Sequence, residues 1–532
     1  MRIPTLPALD PDPSTRQHAL EATRGQLRWA HDRPLGVATA AAVPEGQGYP
    51  ASVLGEVAAA TAATVSNRAL RRVRRGLHRA PEQTTPASVD ALYASIEPPA
   101  LRQRMSDPAT ADEAFGWQRQ AGPNPYSLQR LSRLPRGWPA SLVRDASGSA
   151  ASAMAKAGRL YLCDWRHQAT LSAGAGRVLP PTQALLLAQP DGRLLPLAVR
   201  TPELLTPSDG ARWSLALATA QAADGNEVEL FWHLGRAHFL LEAVAVAAGR
   251  QLAPWHPLAV LLQPHLVGTL AINGAARDQL VVPGGQIDVL LGPALPDAMA
   301  WVRQGVQSFD PRADRFDRAL ERRQLQDAPI QLPWRDDGRR VFEPLLAWVH
   351  DYVGLYYPDD DAVQTDAELQ GMVTDLGADD GGRLAHIGEV ADREALVDLL
   401  VGVLWCATAH HAAVNYTQYD FLGDVQHAPG ASWGAVPTAV PHDLDAAWAS
   451  VLPPPDPAAE QVDFYYQQSR IRVNTLGDYP ARQFVDPRVL APLLRLTDAL
   501  ARADAAIEAD DASRWWPYPY LRPSRIAASI HI

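Results

Sequence analysis

Cysteine is almost missing from this chain of 532 residues: there are two, Cys163 and Cys406. Two thiols that far apart build no disulfide framework, and neither belongs to a zinc-like CxxC spacing, so a reducing, cytoplasmic setting is expected. Positive charge is also short, with 48 Lys and Arg against 59 Asp and Glu and a formal net charge of −11. A protein whose main partner is nucleic acid needs a basic face, and that class is set aside. No run approaches the roughly 18 uninterrupted apolar residues of a membrane span. The opening MRIPTLPALDPDPS lacks an apolar stretch behind its basic start, so no secretory signal is expected. An internal repeat, a glycine-rich phosphate loop and an HExxH pair are absent too, and the last of these argues against a zinc hydrolase.

What remains is 47% hydrophobic and 20% charged, enough for several domains or for one large core. Residues 1 to about 110 are rich in Ala, Pro and Arg, with helical patches at Thr15 to Ala30 and Ala51 to Arg79 around the turn-forming PEGQGYP. They predict an irregular helical arm. Its basic run RALRRVRRGLHR (Arg68 to Arg79) is either a solvated helix face or a patch that could attract an anionic membrane surface or a fatty-acid carboxylate. From about 158 to 200, RLYLCDW and TQALLLAQPDGRLLPLAVR read as strands, the latter folding back at Asp191-Gly192. Beyond Pro202, helical spacing dominates Leu215 to Arg250, Arg340 to Tyr357, Ala391 to Val414 and Pro487 to Glu508. The fold class expected is mostly α: one large helical domain over 111–532 with a small β-sheet inside it.

Within FWHLGRAHFLLE (Phe231 to Glu242) two histidines lie five apart, His233 and His238. On an α-helix five residues turn through about 500°, which leaves the rings roughly 140° apart. In a π-bulge the same five residues come close to a full circle, and both rings could then reach one ion. A second cluster, LWCATAHHAAVNYTQY, puts His411 and Asn415 four apart and on one helical face, with His410 pointing elsewhere. Three imidazoles and an amide, with no thiolate, suit octahedral non-haem iron or manganese better than structural zinc. That set still lacks an anion.

The run HLGRAHFLLEAVAVAAGRQLAPWHPLAVLLQPHLVGTLAINGAARDQLVVPGG resembles the long iron-binding signature of the lipoxygenase family. The frame is His233, His238, Glu242, Arg250, His256-Pro257, Leu261-Leu262, Pro264-His265, Ile272-Asn273, Arg277 and Gly284-Gly285. The likeness continues in FGWQRQAGPNP (Phe115 to Pro125), Leu332 to Gln370, HAAVNYTQY (His411 to Tyr419) and PYPYLRPSRIAASIHI (Pro517 to Ile532). The first 110 residues show no alternating strands of the kind expected for the N-terminal β-barrel lipid-binding domain of plant and animal members, so the chain looks like a compact bacterial-type form.

The resemblance implies a non-haem iron dioxygenase that abstracts a bis-allylic hydrogen from a (1Z,4Z)-pentadiene fatty acid and adds O2. It supplies the missing anion, the main-chain carboxylate of Ile532, beside His233, His238, His411 and Asn415. The apolar tip RIAASIHI agrees, since a lone buried carboxylate costs several kcal/mol unless it binds a metal. The likeness also places Gln418 as a link between the asparagine ligand and the substrate pocket, able to polarise Asn415. Its usual glutamine partner is Glu229 here, which puts that link in doubt. Ala276 falls where alanine goes with S products, Leu280 where a side chain clamps over the reacting carbon, and Ile287, Leu290 and Leu291 along the pocket, on a segment resembling an arched helix. A monomer is expected. The ligands do not separate iron from manganese, nor an oxygenating member from one that rearranges hydroperoxides. A non-enzymatic lipid-binding relative would be expected to have lost a ligand, and all five positions are intact.

Overall fold

The computed structural model describes residues 2–32, 36–77, 82–105, 111–440 and 442–531. Ile532 and the end of the Arg68 to Arg79 run lie outside them. The arm contains helices Pro13–Gln26 and Ala51–Leu77, the first shorter than predicted. Trp29 and Ala30, read as helical, form β1 (Trp29–Ala30), paired antiparallel with β2 (Thr39–Ala40). Two-residue strands carry no period that a sequence pattern can register. The arm is packed down: Leu6, Leu20, Val37 and Val53 are buried, and Arg16 is tied to Asp10 at 2.8 Å and to Glu368. Part of the basic run is engaged within the chain. Arg71 is buried against Asp463 and Arg75 pairs with Asp456, both acids on helix Pro455–Gln468.

Alternation builds the sheet. Strands β3 (Leu128–Arg130), β4 (Leu160–Asp164), β5 (Gln183–Ala188), β6 (Leu194–Thr201) and β7 (Glu203–Leu205) form one antiparallel meander in that order. Tyr161, Cys163, Leu186 and Val199 face the main core. Their neighbours Leu160, Leu162, Leu185 and Ala198 face a separate cluster with Trp138 and Val143, as period two requires. The β5–β6 turn falls at Asp191-Gly192 as predicted, with Gly192 at φ +83°, a conformation that costs glycine little. The three-residue strands β3 and β7 lie outside the predicted 158–200.

Helix Ala211–Glu227 runs on through a π-helix, Val228–Phe239, into helix Leu240–Gln251. It crosses helix Leu295–Gln307 where Gly235 meets Gly305; a β-carbon on Gly235 would lie 2.8 Å from the Val302 carbonyl oxygen. The stretch that carries His411 and Asn415 has the same build: helix Arg393–Trp405, a π turn Cys406–His410, then helix His411–Asn415. Arg393–Leu422 is long and apolar enough to cross a membrane, and its apolar window is wholly buried in the protein. The segment from Asn273 to Leu291 departs from a single arch. It is two helices, Thr269–Gln279 and Gln286–Leu290, interrupted around Pro283, which has no N–H to donate.

Candidate metal centre

The π-helix settles how two histidines five apart share a target. Its wider turn brings His233 Nε2 to 3.1 Å from His238 Nε2. His411, on the neighbouring helix, puts its ring centre 5.5 Å from that of His233 and 5.4 Å from that of His238. One nitrogen from each of the three lies within 4.8 Å of the others. All three residues are buried, as is Asn415. Burial alone pushes His233 down to about 3, so its ring is neutral with a free lone pair.

Each ring is held by what its other nitrogen meets. His238 Nδ1–H donates to Asn273 Oδ1 at 3.0 Å, while Asn273 Nδ2 donates to the His238 carbonyl at 2.7 Å. That pair fixes the tautomer and turns Nε2 of His238 toward His233. Asn273 stood in the sequence frame without a role, and its Ile-Asn position was the signal. His233 Nδ1 lies 3.2 Å from Glu229 Oε2 and 2.9 Å from Gln418 Nε2. Gln418 Nε2 donates to Glu229 Oε1 at 2.7 Å, so the doubted contact is made. Burial pushes Glu229 up to about 8, the Gln418 hydrogen bond opposing, which favours its neutral acid form. Gln418 has no hydrogen bond to Asn415 among the described residues. Asn415 Nδ2 donates instead to the Gln468 carbonyl at 3.0 Å. His410 turns away as predicted, its Nε2–H to the Trp232 carbonyl at 2.9 Å and its Nδ1 accepting from Tyr126.

Ile532 lies outside the described residues, but the chain leading to it is pinned. His265 Nδ1–H donates to the Ala528 carbonyl at 2.7 Å, Ser529 Oγ to the Val267 carbonyl at 2.8 Å, and Ile530 and His531 are buried. Ala276 is buried at the end of helix Thr269–Gln279, Leu280 is half-buried, and Ile287, Leu290 and Leu291 are buried. These five share one segment, joined to the histidines through Asn273. Arg277 on that segment pairs with the buried carboxylate of Glu242.

The donors fit a metal ion. One nitrogen from each of the three buried imidazoles lies within 4.8 Å of the others, and the buried Oδ1 of Asn415 has no donor among the described residues. Comparison with known proteins points the same way. The lipoxygenase family profile matches residues 182–456. The linoleate 9/13-lipoxygenase of Pseudomonas aeruginosa is 32% identical over 479 residues, covering 83% of this chain and 69% of its own. Two solved structures share the fold: a lipoxygenase in complex with arachidonate, with TM-score 0.91 at 23% identity over 100% of this chain and 84% of its own, and a manganese lipoxygenase, with TM-score 0.81 at 22% identity over 100% of both. With more than half its length matched by the family profile and close to a third of its aligned residues shared with a bacterial lipoxygenase, the chain belongs to the lipoxygenase family.

Proposed function

We propose that His233, His238, His411, Asn415 and the terminal carboxylate of Ile532 hold one iron ion, and that the enzyme oxygenates polyunsaturated fatty acids to S-configured hydroperoxides. The convergence of three buried imidazole nitrogens within 4.8 Å carries this reading. The name of the bacterial relative, a linoleate lipoxygenase, supports the substrate class. Bound iron supplies the one-electron oxidation that lets a bis-allylic hydrogen be removed from a (1Z,4Z)-pentadiene; manganese is the alternative that the same donors admit.

The surrounding residues hold the geometry. Asn273 orients His238, the Glu229–Gln418 pair orients His233, and Gln468 orients Asn415 through its carbonyl. Glu242 anchors Arg277 and with it the segment carrying Ala276 and Leu280. In this reading the methyl group of Ala276 closes one approach of O2, Leu280 covers the reacting carbon, and Ile287, Leu290 and Leu291 bound the pocket. The enzyme acts as a monomer. Exposed Leu54, Val65, Leu70 and Val73 on helix Ala51–Leu77 support peripheral contact with a membrane.

Metal analysis together with absorbance in the conjugated-diene band on adding linoleate tests the proposal. About one iron per chain with rising diene absorbance is expected. A chain that binds zinc, or no metal, and leaves linoleate unchanged overturns it.

A further inference from the structure

Lined by none of the three converging histidines, a cavity of about 190 Å³ lies between the helices that carry them and their neighbours. Its inner wall includes Trp232 and His410, the residues directly preceding His233 and His411. Phe309, Phe342 and Trp405 make it aromatic, and helix Phe316–Arg322 closes one side. A cavity of about 150 Å³ lined by apolar side chains holds benzene, so the space suits a molecule of that size or slightly larger.

The polar groups of the wall are unbalanced. The acceptors are used: His410 Nδ1 accepts from Tyr126, and Asp314 accepts from Arg236 at 3.0 Å and from Arg322 at 3.2 Å. The buried groups left without a hydrogen-bond partner are all donors, namely Trp232 Nε1, Arg236 Nε and Nη1, and Arg323 Nη2. Arg236 is 4% exposed, and its guanidinium lies over the Phe231, Trp232 and Phe309 rings. Arg323 has no carboxylate partner among the described residues; it donates to the carbonyls of Pro125 and Ala319, and burial lowers it to about 10. Three guanidiniums, Arg236, Arg322 and Arg323, face one carboxylate, Asp314, which leaves positive charge in a chain of net charge −11. The fourth, Arg315, is matched by Asp317 and Asp398. Unpaired buried donors are costly, and a desolvated guanidinium binds a carboxylate in paired hydrogen bonds.

We propose that this cavity is a binding site for a small monocarboxylate with an apolar, preferably aromatic, body, its carboxylate taken by Arg323 and Arg236 and its body by the aromatic wall. The site is separate from the metal centre and does not depend on how that centre works.

Calorimetric titration of the metal-loaded protein with 3-phenylpropanoate tests it, with 3-phenylpropanamide as the uncharged control. One saturable site is expected for the acid and none for the amide. Arg323→Met should weaken binding at least tenfold. Ala319→Leu, which fills the cavity from helix Phe316–Arg322 and leaves every guanidinium in place, should abolish it. The melting profile of each variant verifies folding, and Ala319→Leu keeps the test sharp if Arg323→Met does not fold. Absence of a saturable site, equal binding of the amide, or binding that survives Ala319→Leu overturns the proposal; the first outcome would mean a water-filled cavity only, and the last a carboxylate bound elsewhere.

Discussion

At the scale of single residues, the site depends on atoms that have no substitute nearby. Replacing His238 or His411 with alanine removes one of three converging nitrogens, and we expect protein with little metal, no diene formation and a lowered melting midpoint, checked by elemental analysis, absorbance and thermal scans. Glu229 offers a finer test. Its carboxyl oxygen accepts from Gln418 as a glutamine carbonyl can, so Glu229→Gln should retain metal and turnover, whereas Glu229→Leu should lose about 10–100-fold in metal affinity or rate. Equal behaviour of the two variants would show that the hydrogen bond is irrelevant. Ala276→Gly removes a buried methyl group, and chiral chromatography should then find R product at a different carbon. An unchanged product mixture would take Ala276 off the oxygen path. The histidines of the candidate site were legible through the likeness of the whole run to the lipoxygenase signature, since their five-residue spacing on an ordinary α-helix would have left the rings roughly 140° apart. The hold of Asn273 on His238 was marked only by its Ile-Asn position in the frame, because a 35-residue separation carries no local signal of the contact itself.

At the scale of elements, both stretches that carry the converging histidines are α-helices interrupted by π turns, and in the first the interruption sets how the rings converge. Five-residue spacing made a π turn thinkable at His233 and His238, but nothing local predicted its length of 12 residues or the second one at Cys406–His410. Tertiary packing supplies the rest. Gly235 lies inside the first π-helix and touches Gly305 across the crossing, with their Cα and would-be Cβ 3.1 Å apart. Gly235→Val should force the helices apart at a cost of about 1–3 kcal/mol. The expected result is a lower unfolding midpoint with faster metal loss to a chelator; unaltered values for both would mean that the crossing does not hold the site. The long helices and the β5–β6 hairpin were readable from period and turn residues. The break between Gln279 and Gln286 was not credited, although Pro283-Gly284-Gly285 marked it.

For the molecule as a whole, the chain's last residues return to the end of helix Pro257–Leu266 and the turn after it, over a separation no sequence pattern encodes. The motif likeness alone pointed to Ile532, yet the approach to it is physically built. Asn474 and Leu476 bond the backbone of Ala528 and Ile526, His265 and Val267 hold Ala528 and Ser529, and Ile530 is buried at 0% exposure. Burying the Ile530 side chain contributes roughly 1.5–3 kcal/mol to keeping that strand in place. If the terminal carboxylate is the anion among otherwise neutral ligands, lengthening the chain should abolish activity without altering any side chain. Residues appended after Ile532 turn its carboxylate into a neutral amide carbonyl and carry the charge away from the imidazoles. Protein extended at the C-terminus should fold, melt at a lower temperature and contain little iron, while the same extension placed before Met1 should leave iron content and diene formation intact. His265→Leu should act in the same direction more weakly, since it loosens the strand and leaves the carboxylate present. A C-terminally extended protein that held one iron per chain and oxygenated linoleate at the unextended rate would remove Ile532 from the ligand set, and the site would then need another anion close to His233, His238 and His411.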